Sequence, residues 1–294
     1  MKNNTCDNQS KTEVSKEEWF QYFKSLNSNS INSNSELESK LQILEEQKNF
    51  SELDNCIKEK EVSDAILSLR NKKSSSFDSI LNEMLKCGHT FLLHCITKLF
   101  NKVLIYGSFP KLWSKGFIVP LFKSGSKDDP AIYRGICIGS CLGKLFLKVL
   151  NNRLENFISK RNLKCDEQIG FCRGKRTSDH MFILKTLIEK YTKQGVKHLY
   201  TCFIGFKKAF DKVWHIGLFF KLREMGVSDL FYNVLKNMYL NTELCVKASP
   251  DTLTDFFPQR LVFAKMTILA PPYLKYLLTT FQAFLRKAAH QLAY

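Results

Sequence analysis

The chain has 294 residues, 44% of them hydrophobic and 24% charged, which excludes a wholly disordered polymer and allows one or two domains with a buried core. Lys and Arg number 44 against 28 Asp and Glu, a net charge of +16 that favours polyanionic partners through phosphate contacts and counterion release. Ten cysteines at uneven spacing, with no signal peptide at Met1-Lys2-Asn3-Asn4, predict reduced thiols in an intracellular, cytoplasmic or nuclear protein that is not secreted.

Residues 1–52 read as a polar, largely flexible connector. Within it, Glu17–Leu26 carries Trp19, Phe20, Phe23 and Leu26 on one helical face, and Asn27–Glu36 is an Asn/Ser run of linker composition. From Leu53 the apolar pattern tightens. Lys58–Leu69 predicts a helix with Val62, Ala65, Ile66 and Leu69 apolar, Asn71–Lys86 a basic loop entering a helix, and Cys87–Gly107 a longer helix. Cys87, His89, His94 and Cys95 invite a metal reading, but their spacing fits no zinc pattern. His94 and Cys95 fall inside the apolar run Phe91–Leu104, so a packed helix face is expected there, and Cys137 and Cys141 read as core or turn residues.

Phe117–Phe122 predicts a short strand, Lys123–Pro130 a polar turn, and a second strand begins at Ile132. Leu142–Ile158 follows as an amphipathic helix. Glu167–Thr177 (EQIGFCRGKRT) then sets Arg173, Lys175 and Arg176 among glycines ahead of another helix, a setting suited to a nucleic-acid backbone. His180 reads as a packing or capping residue, since no carboxylate or nucleophile stands at a telling spacing. His198–Phe206 alternates like a buried strand and Lys207–Trp214 turns helical, so the last strand residues face a shared cleft; Gly205 stands there. Ile216–Met225 and Leu230–Tyr239 predict helices, Glu243–Ala248 and Leu253–Phe257 strands. Leu261–Leu285 is apolar but broken by Pro271-Pro272 and Lys275, which argues against a membrane anchor.

Several of these stretches carry spaced motifs. Phe203-Ile204-Gly205-Phe206-Lys207-Lys208-Ala209-Phe210-Asp211 follows F-x-D-F-x-x-A-F-D except at its third position. Asn71–Lys86 resembles N-K-x-x-G-x-D-G-I-x-N-E-M-L-K, with one extra residue before the first glycine position and Ser76 and Ser79 at the glycines, and Ser108–Trp113 follows S-F-P-x-x-W. Glu167–Thr177 follows E-Q-x-G-F-R-x-G-x-S-T with Cys172 at the first arginine. In this order they resemble the reverse transcriptases of LINE-type (non-LTR) retrotransposons, over roughly Leu53 to Pro258, as a truncated copy. The resemblance implies a helix-rich α+β fold, a partial right-hand polymerase with fingers and an incomplete palm over residues 53–258. It makes Phe117–Ile136 a fingers hairpin in which Lys123 and Arg134 touch phosphates of RNA or DNA, as would Arg173, Lys175 and Arg176.

The same resemblance places the family's first metal-binding aspartate at Gly205. With two aspartates of a later motif it would hold two Mg²⁺ ions, hard cations that take oxygen ligands, and a hydrogen atom offers none. Asp211 lies six residues further on and does not replace it. No catalytic residue is then intact and no cofactor is expected, leaving a polymerase by descent only. The later motif is missing from Leu261–Leu285 as written, yet shifting the frame of a permissive back-translation by one nucleotide yields GVRQDDNLSPTLFKIFINDLPSIF, which looks like it. Residues 259–294 therefore read as a frameshifted tail. Two alternatives stand beside a polymerase remnant: a non-catalytic module that grips RNA or DNA, and the product of a decaying copy with no function.

Overall fold

A computed structural model of the chain describes residues 14–28, 35–163, 174–193, 200–203, 213–259 and 261–262. In chain order come α1 (Lys16–Ser28), α2 (Ser35–Glu46), a 3₁₀ turn at Glu52–Asp54, α3 (Glu59–Leu67), α4 (Asn82–Cys87), α5 (His89–Tyr106) and α6 (Lys111–Ser114). β1 (Lys115–Phe122) and β2 (Tyr133–Gly139) form a hairpin, followed by α7 (Cys141–Lys160), α8 (Thr177–Lys193), β3 (Val213–Trp214), α9 (His215–Glu224) and α10 (Asp229–Leu240). β4 (Glu243–Ser249), β5 (Thr252–Leu253), β6 (Phe257–Pro258) and β7 (Leu261–Val262) complete an α+β arrangement.

The sheet runs β2-β1-β4-β5, with β6 also on β4. β1 pairs antiparallel with β2, from Gly116↔Gly139 to Phe122↔Tyr133, and parallel with β4, from Lys115↔Glu243 to Ile118↔Val246. Paired residues point to the same side, so alternation divides the sheet into two faces. Ile118, Tyr133, Cys137, Leu244 and Val246 make one of them, and all are buried together with Trp19 and Phe23 of α1. The larger core lies among the helices, where Phe100 of α5 packs edge-on to Trp113 and Phe146, 6.0 and 5.0 Å between ring centroids.

The described part of the N-terminal segment departs from the expected flexible connector. Ser15 and Glu18 cap α1 reciprocally, the Ser15 amide donating to the Glu18 carboxylate at 2.7 Å and the Glu18 amide to Ser15 Oγ at 3.2 Å. The apolar stripe read from Glu17–Leu26 then has a surface to cover, namely the sheet. α2 is fastened differently. The guanidinium of Arg223, 1% exposed, donates to the carbonyls of Leu44 and Gln47 and to the Asp229 carboxylate, while Tyr232 and Lys236 both donate to Glu45. A polar segment is thus held by charge-assisted bonds, which hydropathy does not register.

Five other expectations change. His94 and Cys95 lie on the exposed side of α5, not a packed face: His94 Nδ1 sits 2.8 Å from Glu59 Oε1, and His89 Nε2 is 2.9 Å from Ser63 Oγ. Tyr200–Phe203 carries no strand and is exposed, and Val213–Trp214, expected to be helical, pairs as a strand with Leu261–Val262. Leu253–Phe257 is two short pairings rather than one strand, because Thr254 Oγ1 accepts the Val246 amide at 2.8 Å in a stretch of shifted register. His180, read as a packing or capping residue, is exposed, which removes the packing half of that reading.

At the two serines standing for glycines, the backbone separates them. Ser79 has φ 54°, the left-handed region, whereas Ser76 has no positive φ. Ser79→Gly is expected to raise the stability of the chain by roughly 0.5–1 kcal/mol and Ser79→Ala to give no gain, measured by urea denaturation.

Arg153 of α7 gathers the start of α3 onto the helical core. It donates to both carboxylate oxygens of Glu61 at 2.7 and 2.8 Å and to the carbonyls of Leu53, Asn55 and Cys56. Burial pushes the Glu61 carboxyl up, but hydrogen bonds from Arg153 and the Lys58 amide outweigh it and hold the group below its ordinary 4.5. A depressed folded value adds stability that is complete above about pH 4.5 and is lost as pH falls through the lowered value. Urea midpoints taken between neutral and acid pH should fall in this window, and fall less steeply in Arg153→Leu, which should also lose roughly 3 kcal/mol at neutral pH.

Candidate nucleic-acid interface

Among the described residues no helix seals the second face of the sheet. It carries Lys115, Phe117, Val119 and Leu121 on β1, Arg134, Ile136 and Ile138 on β2, and Glu243, Cys245 and Lys247 on β4. Arg134, opposite Leu121, is exposed, as are Leu121 and Ile136. Neither Arg134 nor Lys247 has an ion pair among the described residues; Lys115 meets Glu243 at 3.8 Å with both side chains half exposed, a pair of little strength in water.

Three phenylalanines from separate segments meet on this face. Phe77 comes from the loop ahead of α4, Phe117 from β1 and Phe256 from the stretch between β5 and β6. Phe77 lies edge-on to Phe117 with centroids 5.7 Å apart and tilted against Phe256 at 5.6 Å. Lys247 Nζ stands 5.7 Å from the Phe117 centroid and Lys115 Nζ 4.7 Å from that of Phe256, within reach of the ring quadrupole. Cationic and aromatic groups therefore share one surface.

Of the residues read from the sequence as phosphate contacts, the structure places Arg134 on this face and Lys123 one residue past the end of β1, in the exposed turn. Lys175 and Arg176 stand exposed before α8, where the Arg176 amide donates to the Asp179 carboxylate at 2.8 Å. α8 has no substantial packing on any other described element, so these two are not brought to the sheet. Arg173 and Gly205 lie outside the described residues. Lys115, Lys247 and the three phenylalanines were not found from the sequence. Alternation along β1 does set Lys115 and Phe117 on one side with Leu121, but nothing local says that β4 lies alongside. Among the described residues no group of three His, Cys, Asp or Glu is placed to hold a metal ion, and no helix is long and apolar enough to cross a membrane.

Residues 124–263 match the family described as reverse transcriptase (RNA-dependent DNA polymerase). The chain is 31% identical over 183 residues to the probable RNA-directed DNA polymerase from transposon BS of Drosophila melanogaster, 62% of this chain and 20% of that protein. Against the RNA-directed DNA polymerase from mobile element jockey of the same species, identity is 28% over 177 residues, 58% of this chain and 19% of the relative. Residues 124–263 carry a reverse-transcriptase domain like that of non-LTR retrotransposon polymerases. A third relative of this reverse-transcriptase domain is the retrovirus-related Pol polyprotein from type-1 retrotransposable element R2 of Nasonia vitripennis, 28% identical over 149 residues, 51% of the chain and 14% of the relative. The chain spans about a fifth of the length of the first of these curated relatives. The matched region begins in the turn after β1 and takes in β2 and β4, so it covers much of the sheet that carries the basic face.

The thiols of this reverse-transcriptase domain report on the sheet. Burial pushes Cys137 up to about 12 and Cys245 up to about 11, whereas Cys56, Cys87, Cys95 and Cys202 are exposed. Iodoacetamide at mildly alkaline pH should alkylate the four exposed cysteines in the native chain and reach Cys137 and Cys245 only after denaturant is added, as read by peptide mass spectrometry.

Proposed function

We propose that this chain is the fingers and first part of the palm of a right-hand polymerase, holding RNA or DNA by its phosphates without extending a primer. The observation that carries the binding half is the basic sheet face: Arg134 and Lys247 stand on it without ion-pair partners among the described residues, and β4 brings Lys247 within two strands of Arg134. A guanidinium offers a planar fork for phosphate and an ammonium a point charge, so the two differ in geometry but add in electrostatics. Lys123 extends the same cationic edge, and Arg173, Lys175 and Arg176 supply a second basic segment in the sequence.

The non-catalytic half rests on Gly205. In the motif this chain shares with its family, that position carries a carboxylate for Mg²⁺, and glycine provides no oxygen donor from a side chain. The metal chemistry does not fit the residue present. The missing later motif is accounted for by a shifted frame near Gln259 or Arg260. Leu261–Val262 nonetheless pair with β3, and a two-residue backbone ladder needs no particular side chains. The nucleotide sequence across codons 255–265 tests this: one base lost or gained there supports a shift, and an undisturbed frame related to no polymerase motif removes it.

Filter binding of the full chain to a labelled RNA should give an affinity that falls steeply with rising salt, and the joint substitution Arg134→Gln with Lys247→Gln should lower the log–log salt slope by about 2. Incubation with primer, template, nucleotides and Mg²⁺ should leave the primer unextended. A flat salt response would remove the binding reading, and elongation abolished by chelator would remove the non-catalytic one.

A further inference from the structure

We infer that the open sheet face stacks unpaired bases, making single-stranded nucleic acid its ligand in preference to duplex; this rests on the phosphate-binding reading above. The starting observation is that Phe77, Phe117 and Phe256 belong to neither buried core, although most aromatic side chains of the described helices do. Phe256 is 40% exposed, and Phe77 and Phe117 are half-buried against each other. Three rings drawn from segments about 40 and 140 residues apart in sequence converge on a face that no described helix covers, and each end of the row has a lysine over a ring.

The chemistry of that surface selects its ligand. A purely aliphatic patch would suit a protein helix, but the partly exposed rings here are flanked by Lys115, Lys247 and Arg134, which suits a molecule that is both anionic and flat. Unpaired nucleotides have both properties. In a duplex the base faces are buried against one another, leaving only phosphates to meet the cations, whereas a single strand offers bases to the rings as well. Each base stacked on an aromatic side chain adds on the order of tenfold in affinity, with little dependence on its identity.

The test uses the full chain and fluorescence anisotropy at one fixed salt concentration, with three DNA probes of equal length: a thymidine single strand, the same backbone without bases, and a duplex. The base-bearing strand is expected to bind at least roughly tenfold more tightly than the abasic strand and the duplex, and Phe117→Leu with Phe256→Leu should bring it down to the abasic value. Equal affinity for base-bearing and abasic strands, a comparison made on the unsubstituted chain, would overturn the stacking inference while leaving phosphate binding standing. Failure to bind any of the three would instead overturn the phosphate reading itself.

Discussion

A Cβ placed on Gly135 would lie 2.7 Å from Phe23 Cε1 and 3.0 Å from Ile118 Cγ2, so at this point of β2 only glycine lets α1 seat its aromatic stripe against the sheet. The consequence is lopsided. With Trp19 stacked near Phe23 and edge-on to Tyr133 at 4.8 Å, one face becomes dry core, and whatever binds the sheet must use the other. That other face is where Arg134, Lys115 and Lys247 stand. The close approach at Gly135 therefore determines which set of alternating residues is structural and which is free to meet a ligand.

The helical part of the molecule serves to hold that sheet in place. Arg153 and Arg223 are themselves largely buried and each satisfies several carbonyls along with a carboxylate, so removing either leaves a group of acceptors, several of them partly buried, without donors. Through them the described N-terminal residues become part of the domain: Leu41 and Leu53 enter the same core as Phe100 and Phe231. What looks in sequence like a linker is, over residues 35–54, a strap across α9, α10 and the C-terminal half of α7.

How far the sequence can be read follows from the range of the forces involved. The stripe Trp19, Phe20, Phe23, Leu26 was legible because helical periodicity is local, and so were α5, α7, α9 and α10 and the strands at residues 117 and 243. What α1 covers was not, since its partner surface begins about a hundred residues away and is joined to β4 only by a parallel pairing. The ring cluster was hidden for the same reason, as Phe77, Phe117 and Phe256 have no sequence relation to one another. The shared motif has glycines where Ser76 and Ser79 stand, and the backbone needs the left-handed region at Ser79 and not at Ser76. His94 and Cys95 misled because α5 is apolar on much of its solvent side too, with Phe91 and Tyr106 exposed, so hydropathy alone could not say which face was inner. Arg134 stands exposed on β2, on the strand read from the sequence, and its phosphate contact is a proposal, while Gly205 belongs to the sequence motif alone.

The most direct test of a one-sided sheet is to photocrosslink a single-stranded oligonucleotide carrying 4-thiothymidine to the full chain and identify the modified peptides by mass spectrometry. Crosslinks are expected on the peptides bearing Phe77, Phe117 or Phe256 and none on the α1 peptide with Trp19 and Phe23. Crosslinks concentrated on α1, or spread evenly over the lysine-bearing surface, would contradict the account.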